Sequence, residues 1–150
     1  MRSGSCAGCT RPADQEIVAF CAAGLAFGRV SSVMQSIDRL AAVMGPEPSA
    51  FVRRFVPARD GVALRDFVHR WIRGVDVIAL LWILHQMLEQ SGSIEGFFLE
   101  GDTGGDDVRD ALDSFSRRAM ALDLRTASRP CAGAARRRLF LSASVERQRL

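Results

Sequence analysis

Asp76-Val77-Ile78-Ala79-Leu80-Leu81-Trp82-Ile83-Leu84-His85-Gln86-Met87-Leu88-Glu89-Gln90 is the stretch that decides the fold class. Its first two turns are apolar on nearly every side, and a helix that is apolar all round is one that other elements surround. Asp76 supplies a capping carboxylate at its start and Gly92 a stop at its end. The unbroken apolar run, Val77 to Leu84, is too short for a bilayer, which takes roughly 18 residues or more. The second long run, Ile17 to Gly28, falls short as well. The segment therefore predicts the central helix of a soluble bundle.

Working outward, the remaining segments supply helices to cover it. Pro12-Ala13-Asp14-Gln15-Glu16 opens a helix with acidic residues in the first turn, where the dipole favours them. Ile17, Phe20, Cys21, Gly24 and Phe27 form its inner face, and it stops near Gly28. Ser31 or Ser32 caps a second helix carrying Val33, Ile37, Leu40, Ala41 and Met44 at helical spacing, ended by Gly45-Pro46. Pro48-Ser49 starts a short helix with Phe51, Val52 and Phe55 inward. Leu64, Phe67, Val68 and Trp71 predict a fourth helix, stopped near Gly74. Beyond the central helix, Ser93 opens a short helix through Phe97 and Phe98. Gly101 to Gly105 is a loop. Asp106-Asp107 opens a last helix with Val108, Ala111, Leu112, Phe115, Ala119 and Leu122 on one side. No strand pattern competes. The expected fold is all-α, a compact bundle of about six or seven helices over residues 12–125. Residues 1–11 are expected as a flexible tail and residues 126–150 as a disordered basic tail.

Composition narrows the chemistry. The chain of 150 residues is 48% hydrophobic and 25% charged, ordinary for one globular domain. Its net charge is +3, and all 20 basic residues are arginine. Without lysine there is no Schiff-base nucleophile, P-loop lysine or lysine general base. The N-terminus has no basic region followed by an apolar one, so no secretory leader is read, and a cytoplasmic location without membrane attachment is expected.

Each candidate constellation has a plainer reading. Cys6-Ala7-Gly8-Cys9 lacks the second ligand pair that a structural zinc site needs, and Cys21 lies in an apolar run. Asp102-Thr103-Gly104 matches the aspartic-protease tripeptide but sits between helices, whereas that chemistry needs two facing carboxylates. Glu100, Asp102, Asp106 and Asp107 lack EF-hand spacing. His69 and His85 are read in separate helices, without a carboxylate at metal spacing. No G-x-S-x-G elbow occurs. No cofactor and no metal is called for. Arginines recur in groups, Arg53-Arg54, Arg117-Arg118 and Arg136 to Arg138, a weak pointer to nucleic acid.

The segment from Pro12 to Val30 resembles the opening helix of a bacterial family known as domain of unknown function 2400. Phe67-Val68-His69-Arg70-Trp71 with Gly74-Val75-Asp76 resembles its second segment, and Ser93-Ile94-Glu95-Gly96-Phe97-Phe98 its third. The resemblance covers roughly residues 12–125. It implies a longer protein whose later half resembles helix-hairpin-helix DNA glycosylases, including a Pro-Leu-Asp-Thr-His-Val type of segment that this sequence lacks. Residues Leu139 to Leu150, read one nucleotide out of frame, can give a further family motif, so a frameshifted or truncated member is the expectation. Such a chain should expose an apolar patch where its missing half packed. The implied partner is DNA, with Arg29, Arg53, Arg54, His69 and Arg70 as binding candidates and no catalytic residue. The alternative is a non-enzymatic helical interaction module or an inactive gene remnant.

Overall fold

A computed structural model describes residues 11–105 and 107–128. Their order is α1 (Pro12–Leu25), α2 (Val30–Met44), α3 (Pro48–Arg53), α4 (Pro57–Asp60), a 3-10 turn (Gly61–Leu64), β1 (Val68–His69), β2 (Ile72–Arg73), α5 (Gly74–Ser91), α6 (Ile94–Leu99), α7 (Arg109–Ala121) and α8 (Arg125–Ser128). The fold is all-α, with one two-stranded ribbon. Cys6, Cys9, Asp106, Cys131, the Arg136–Arg138 triplet and Leu139–Leu150 lie outside the described residues.

The apolar stretch that set the fold class is indeed the central element. Val77, Ile78, Leu81, Ile83, Leu84, Met87 and Leu88 of α5 are all buried, and α3, α6, α8 and the 3-10 turn pack around it. The helix starts at Gly74, two residues before Asp76. Asp76 lies in its first turn, and its carboxylate accepts the backbone N–H of Arg73. Gly92 ends it in the left-handed conformation, φ 76°, which a glycine adopts without a Cβ penalty. Ser93 then caps α6 by accepting the N–H of Gly96.

Two buried contacts fix how α1 joins the rest. Ile17, Val18, Cys21 and Leu25 form its inner face, while Phe20 is half-buried against Phe115 of α7. At its first turn, Asp14 is buried and accepts both the N–H and the hydroxyl of Ser49, at 2.9 and 2.6 Å. Ser49 lies in the first turn of α3, so one helix supplies the N-terminal capping carboxylate of another. These hydrogen bonds hold the Asp14 carboxyl below its ordinary value, helped by the Arg11 charge and against the effect of burial.

Several expectations need correction. The predicted fourth helix through Leu64, Phe67, Val68 and Trp71 does not form. Leu64 ends the 3-10 turn, and the chain then makes a tight antiparallel ribbon in which Val68 pairs with Arg73 and His69 with Ile72. Phe67, His69 and Ile72 point inward, while Val68 and Trp71 are exposed. Space explains the geometry. A Cβ on Gly74 would sit 1.9 Å from the carbonyl oxygen of Leu64, so only glycine lets the start of α5 lie against the 3-10 turn. Strand pairing therefore exists locally where none was expected. α1 stops at Leu25, leaving Phe27 in the turn before α2, and α2 begins at Val30 with Ser31 and Ser32 already in its first turn. On α7, Ala111, Phe115 and Ala119 face inward, but Val108 and Leu112 are exposed. Helical structure is described as far as Ser128, with Ala127 buried.

Candidate functional site

The N-terminal end of α5 gathers more unused chemistry than any other described region. Two turns meet there, the α1–α2 turn (Ala26 to Arg29) and the ribbon tip (Arg70-Trp71). Gly28 has φ 105°, and a Cβ there would sit 3.2 Å from the Arg70 Cδ, so the Arg70 side chain lies directly over the glycine. Arg70 itself has φ 56°, the only positive value among the described non-glycine residues. This conformation costs an L-residue on the order of 1 kcal/mol and needs its surroundings to hold it.

His69 does the holding. It is 3% exposed. Its Nε2 is 3.1 Å from the Phe27 carbonyl, which can only accept, so Nε2 carries a hydrogen and donates. Its Nδ1 is 2.8 Å from the Ser36 hydroxyl. One side chain thus pins the ribbon to both the α1–α2 turn and α2. As a binding candidate, His69 is placed beneath the surface with both nitrogens engaged, so it positions the site.

The surface above it is aromatic and cationic. Trp71 is 64% exposed, and its ring stacks on Phe27 with centroids 4.9 Å apart and planes 18° apart. The Arg70 guanidinium lies 5.7 Å from the Trp71 centroid. Arg29, the N-cap residue of α2, is exposed in the same turn as Phe27. Among the described residues, the ion pairs are Arg11–Glu47, Arg59–Asp60, Arg109–Asp107 and Arg118–Glu100, so neither Arg29 nor Arg70 belongs to one.

The structure therefore brings together Arg29, His69 and Arg70 and separates them from Arg53 and Arg54. Arg53 grips the far end of α5, donating to the Gly92 carbonyl at 2.5 Å and the Leu88 carbonyl at 3.5 Å. α5 has 18 residues, so the two ends are about 27 Å apart. A cation on the last carbonyls of a helix is a stabilising arrangement in its own right. Arg54 is exposed beside Arg53. Arg118 is likewise engaged, donating to the Phe97 carbonyl and Glu100 and lying over the Phe97 ring.

Trp71 and Phe27 were missed in the sequence because both were assigned to helix interiors. The remaining candidates resolve into ordinary structure. Asp102 accepts the N–H of Gly104 in an exposed loop turn. His85 donates to the Val52 carbonyl and stacks on Trp82. Burial pushes the Cys21 thiol up to about 12, so it is no nucleophile. Among the described residues no group of three or more His, Cys, Asp or Glu could hold a metal ion. No described helix is long and apolar enough to cross a membrane.

These features define an all-helical domain with an aromatic and cationic hairpin at one end of its central helix. The chain belongs to the family described as Protein of unknown function (DUF2400), whose model matches residues 6–142. The match reaches beyond both ends of the 12–125 segment in which the resemblance was read. Neither the curated proteins nor the solved structures gave a match.

Proposed function

We propose that this domain binds nucleic acid through the hairpin end of α5, with Arg29 and Arg70 contacting phosphates and no catalytic role assigned. The observation that carries the reading is the placement of two arginines, outside any ion pair among the described residues, beside a solvent-facing Trp71. Free guanidinium groups neutralise phosphates and release counterions, the main source of sequence-independent affinity. A glycosylase-like later half, which the resemblance implies for longer members, would suit such a partner. Arg53 contributes to the stability of α5 in this reading, and Arg54 lies apart from the site.

Fluorescence polarisation with a labelled oligonucleotide at about 50 mM and about 200 mM salt tests it. Binding should weaken as salt rises, and each of Arg29→Gln and Arg70→Gln should reduce the logarithmic salt slope by about 1. No binding at the lower salt, or a slope unchanged in both variants, would overturn the proposal.

A second reading, a helical protein-interaction module, is favoured by exposed Val108, Leu112 and Met120 along α7 with Leu99 at the end of α6. Self-association that Leu112→Gln abolishes would support it. A monomer at every concentration, with oligonucleotide bound, would count against it.

A further inference from the structure

We infer that Trp71 is a stacking platform for an unpaired nucleobase, so that the nucleic acid taken by this end is single-stranded or locally unpaired. This rests on the nucleic-acid reading above and narrows it to a substrate class.

The geometry supplies three supports. One face of the Trp71 ring is stacked on Phe27, close to parallel at 18°, which holds the indole in one orientation before any ligand arrives. Trp71 as a whole is 64% exposed, so most of the ring that Phe27 does not cover faces solvent, with the Arg70 guanidinium 5.7 Å from its centroid. The ring also stands at the outermost position of the ribbon, beside Arg70, where His69 and Gly28 fix the backbone.

The charges around the ring select the occupant. Arg29, Arg65, Arg70 and Arg73 are all exposed on the segments that meet here, and none belongs to an ion pair among the described residues. The carboxylates on the same segments are Asp38, Asp66 and Asp76, which the arginines outnumber; Asp76 accepts the N–H of Arg73 and keeps its charge. A flat apolar face bordered by cations matches a ligand that is flat and apolar in its centre and anionic at its edge. A nucleotide has that form. Every base offers a π-face, so such a platform tolerates any sequence. Away from its ends, a duplex covers those faces with neighbouring base pairs, so along the strand the ring takes an unpaired base.

The test uses the full chain and two probes, an unstructured oligothymidylate of about 12 nucleotides and a duplex of the same length. Trp71→Ala should weaken oligothymidylate binding by about tenfold to a hundredfold. The same change should alter duplex binding less than about twofold, because phosphate contacts remain. Trp71→Phe, which keeps a π-face, should restore most of the lost affinity. Far-UV circular dichroism and a melting curve establish that each variant is folded, which the exposure of the ring makes the expected result. If Trp71→Ala binds oligothymidylate as the parent does, while Arg29→Gln and Arg70→Gln weaken it, stacking is wrong and the nucleic-acid reading survives. If neither probe binds at low salt, both fall. If Trp71→Ala instead dissolves a dimer seen by sedimentation and leaves oligonucleotide binding untouched, the ring docks a second copy of the chain and the inference is overturned.

Discussion

Replacing Gly74 with alanine should test whether the ribbon and α5 are fixed by the close approach described above. The added Cβ would lie 1.9 Å from the Leu64 carbonyl oxygen and 2.9 Å from that of Arg65. An ordinary carbon–oxygen contact is roughly 3.3 Å, so the 3-10 turn or the start of α5 must move by about 1.4 Å. The obstacle is backbone and cannot rotate away. The Leu64 oxygen is also fixed by accepting the N–H of Phe67 at 2.9 Å, so moving it strains the bond that leads the chain into β1. Overpacking of this kind costs about 1–3 kcal/mol. The better helix propensity of alanine offsets at most about 1 kcal/mol. A net loss of about 1–2 kcal/mol is expected. Urea unfolding followed by circular dichroism should show it as a lower midpoint at unchanged slope. Gly92→Ala is the comparison. No atom lies within 4 Å of its Cβ position, and its φ of 76° alone should cost about 1 kcal/mol. The reasoning fails if Gly74→Ala matches or exceeds the parent in stability. It also fails if Gly74→Ala weakens the protein without disturbing Trp71 emission, because the ribbon must move with the turn.

Three further outcomes follow from other contacts. Asp14→Asn should destabilise by about 1 kcal/mol or more at neutral pH, since a charged acceptor is lost from two Ser49 hydrogen bonds. Because the folded carboxyl lies below its ordinary value of about 3.9, its contribution is complete above that value and is lost as pH falls through the depressed one. Urea titrations should therefore show the variant's deficit shrinking on acidification, and a widening gap would contradict the assignment. Cys21 should resist alkylation at mildly alkaline pH in the folded chain and react once denaturant is added, as peptide mass mapping would reveal; labelling without denaturant would mean that the α1 face is not packed. Arg53→Ala should lower the melting temperature by losing its bonds to the Leu88 and Gly92 carbonyls, worth about 0.5–1.5 kcal/mol, while salt-dependent oligonucleotide binding stays intact.

The sequence made the centre of the fold readable because α5 is apolar around its whole circumference and ends in Gly92, two signals that do not depend on tertiary context. Ser93 and Gly45 were legible for the same reason. The ribbon was not. Leu64, Phe67, Val68 and Trp71 have spacings that suit a helix, and two-residue strands are too short to display an alternating pattern. The turn residue with positive φ is arginine, where glycine, asparagine or aspartate would have marked a turn. The cost was the site itself. Assigning Trp71 and Phe27 to helix cores hid the exposed ring and its support, although Arg29, His69 and Arg70 had been singled out beside them. His69 was found by its place in a motif, but its role as an anchor depends on Ser36 and the Phe27 carbonyl, neither of which announces a partner in the sequence. Arg53 looked like a free cation in a basic pair because nothing in its neighbours places the end of α5 against it.

The attachment of α8 to α5 carries a different lesson. Gln86 exchanges hydrogen bonds with both backbone groups of Asp123, donating to its carbonyl at 3.0 Å and accepting its N–H at 3.1 Å, and Trp82 donates to the same carbonyl. The Gln86 amide thus pairs with the chain as a strand neighbour would, while the Asp123 carboxylate turns to the N–H of Arg125 and opens α8. A latch that grips main chain is blind to the side chain it holds. Position 123 can change in evolution or in the laboratory at the expense of one helix cap alone. Position 86 carries the constraint, since glutamate there would set a carboxylate against a carbonyl oxygen and release the segment as a unit.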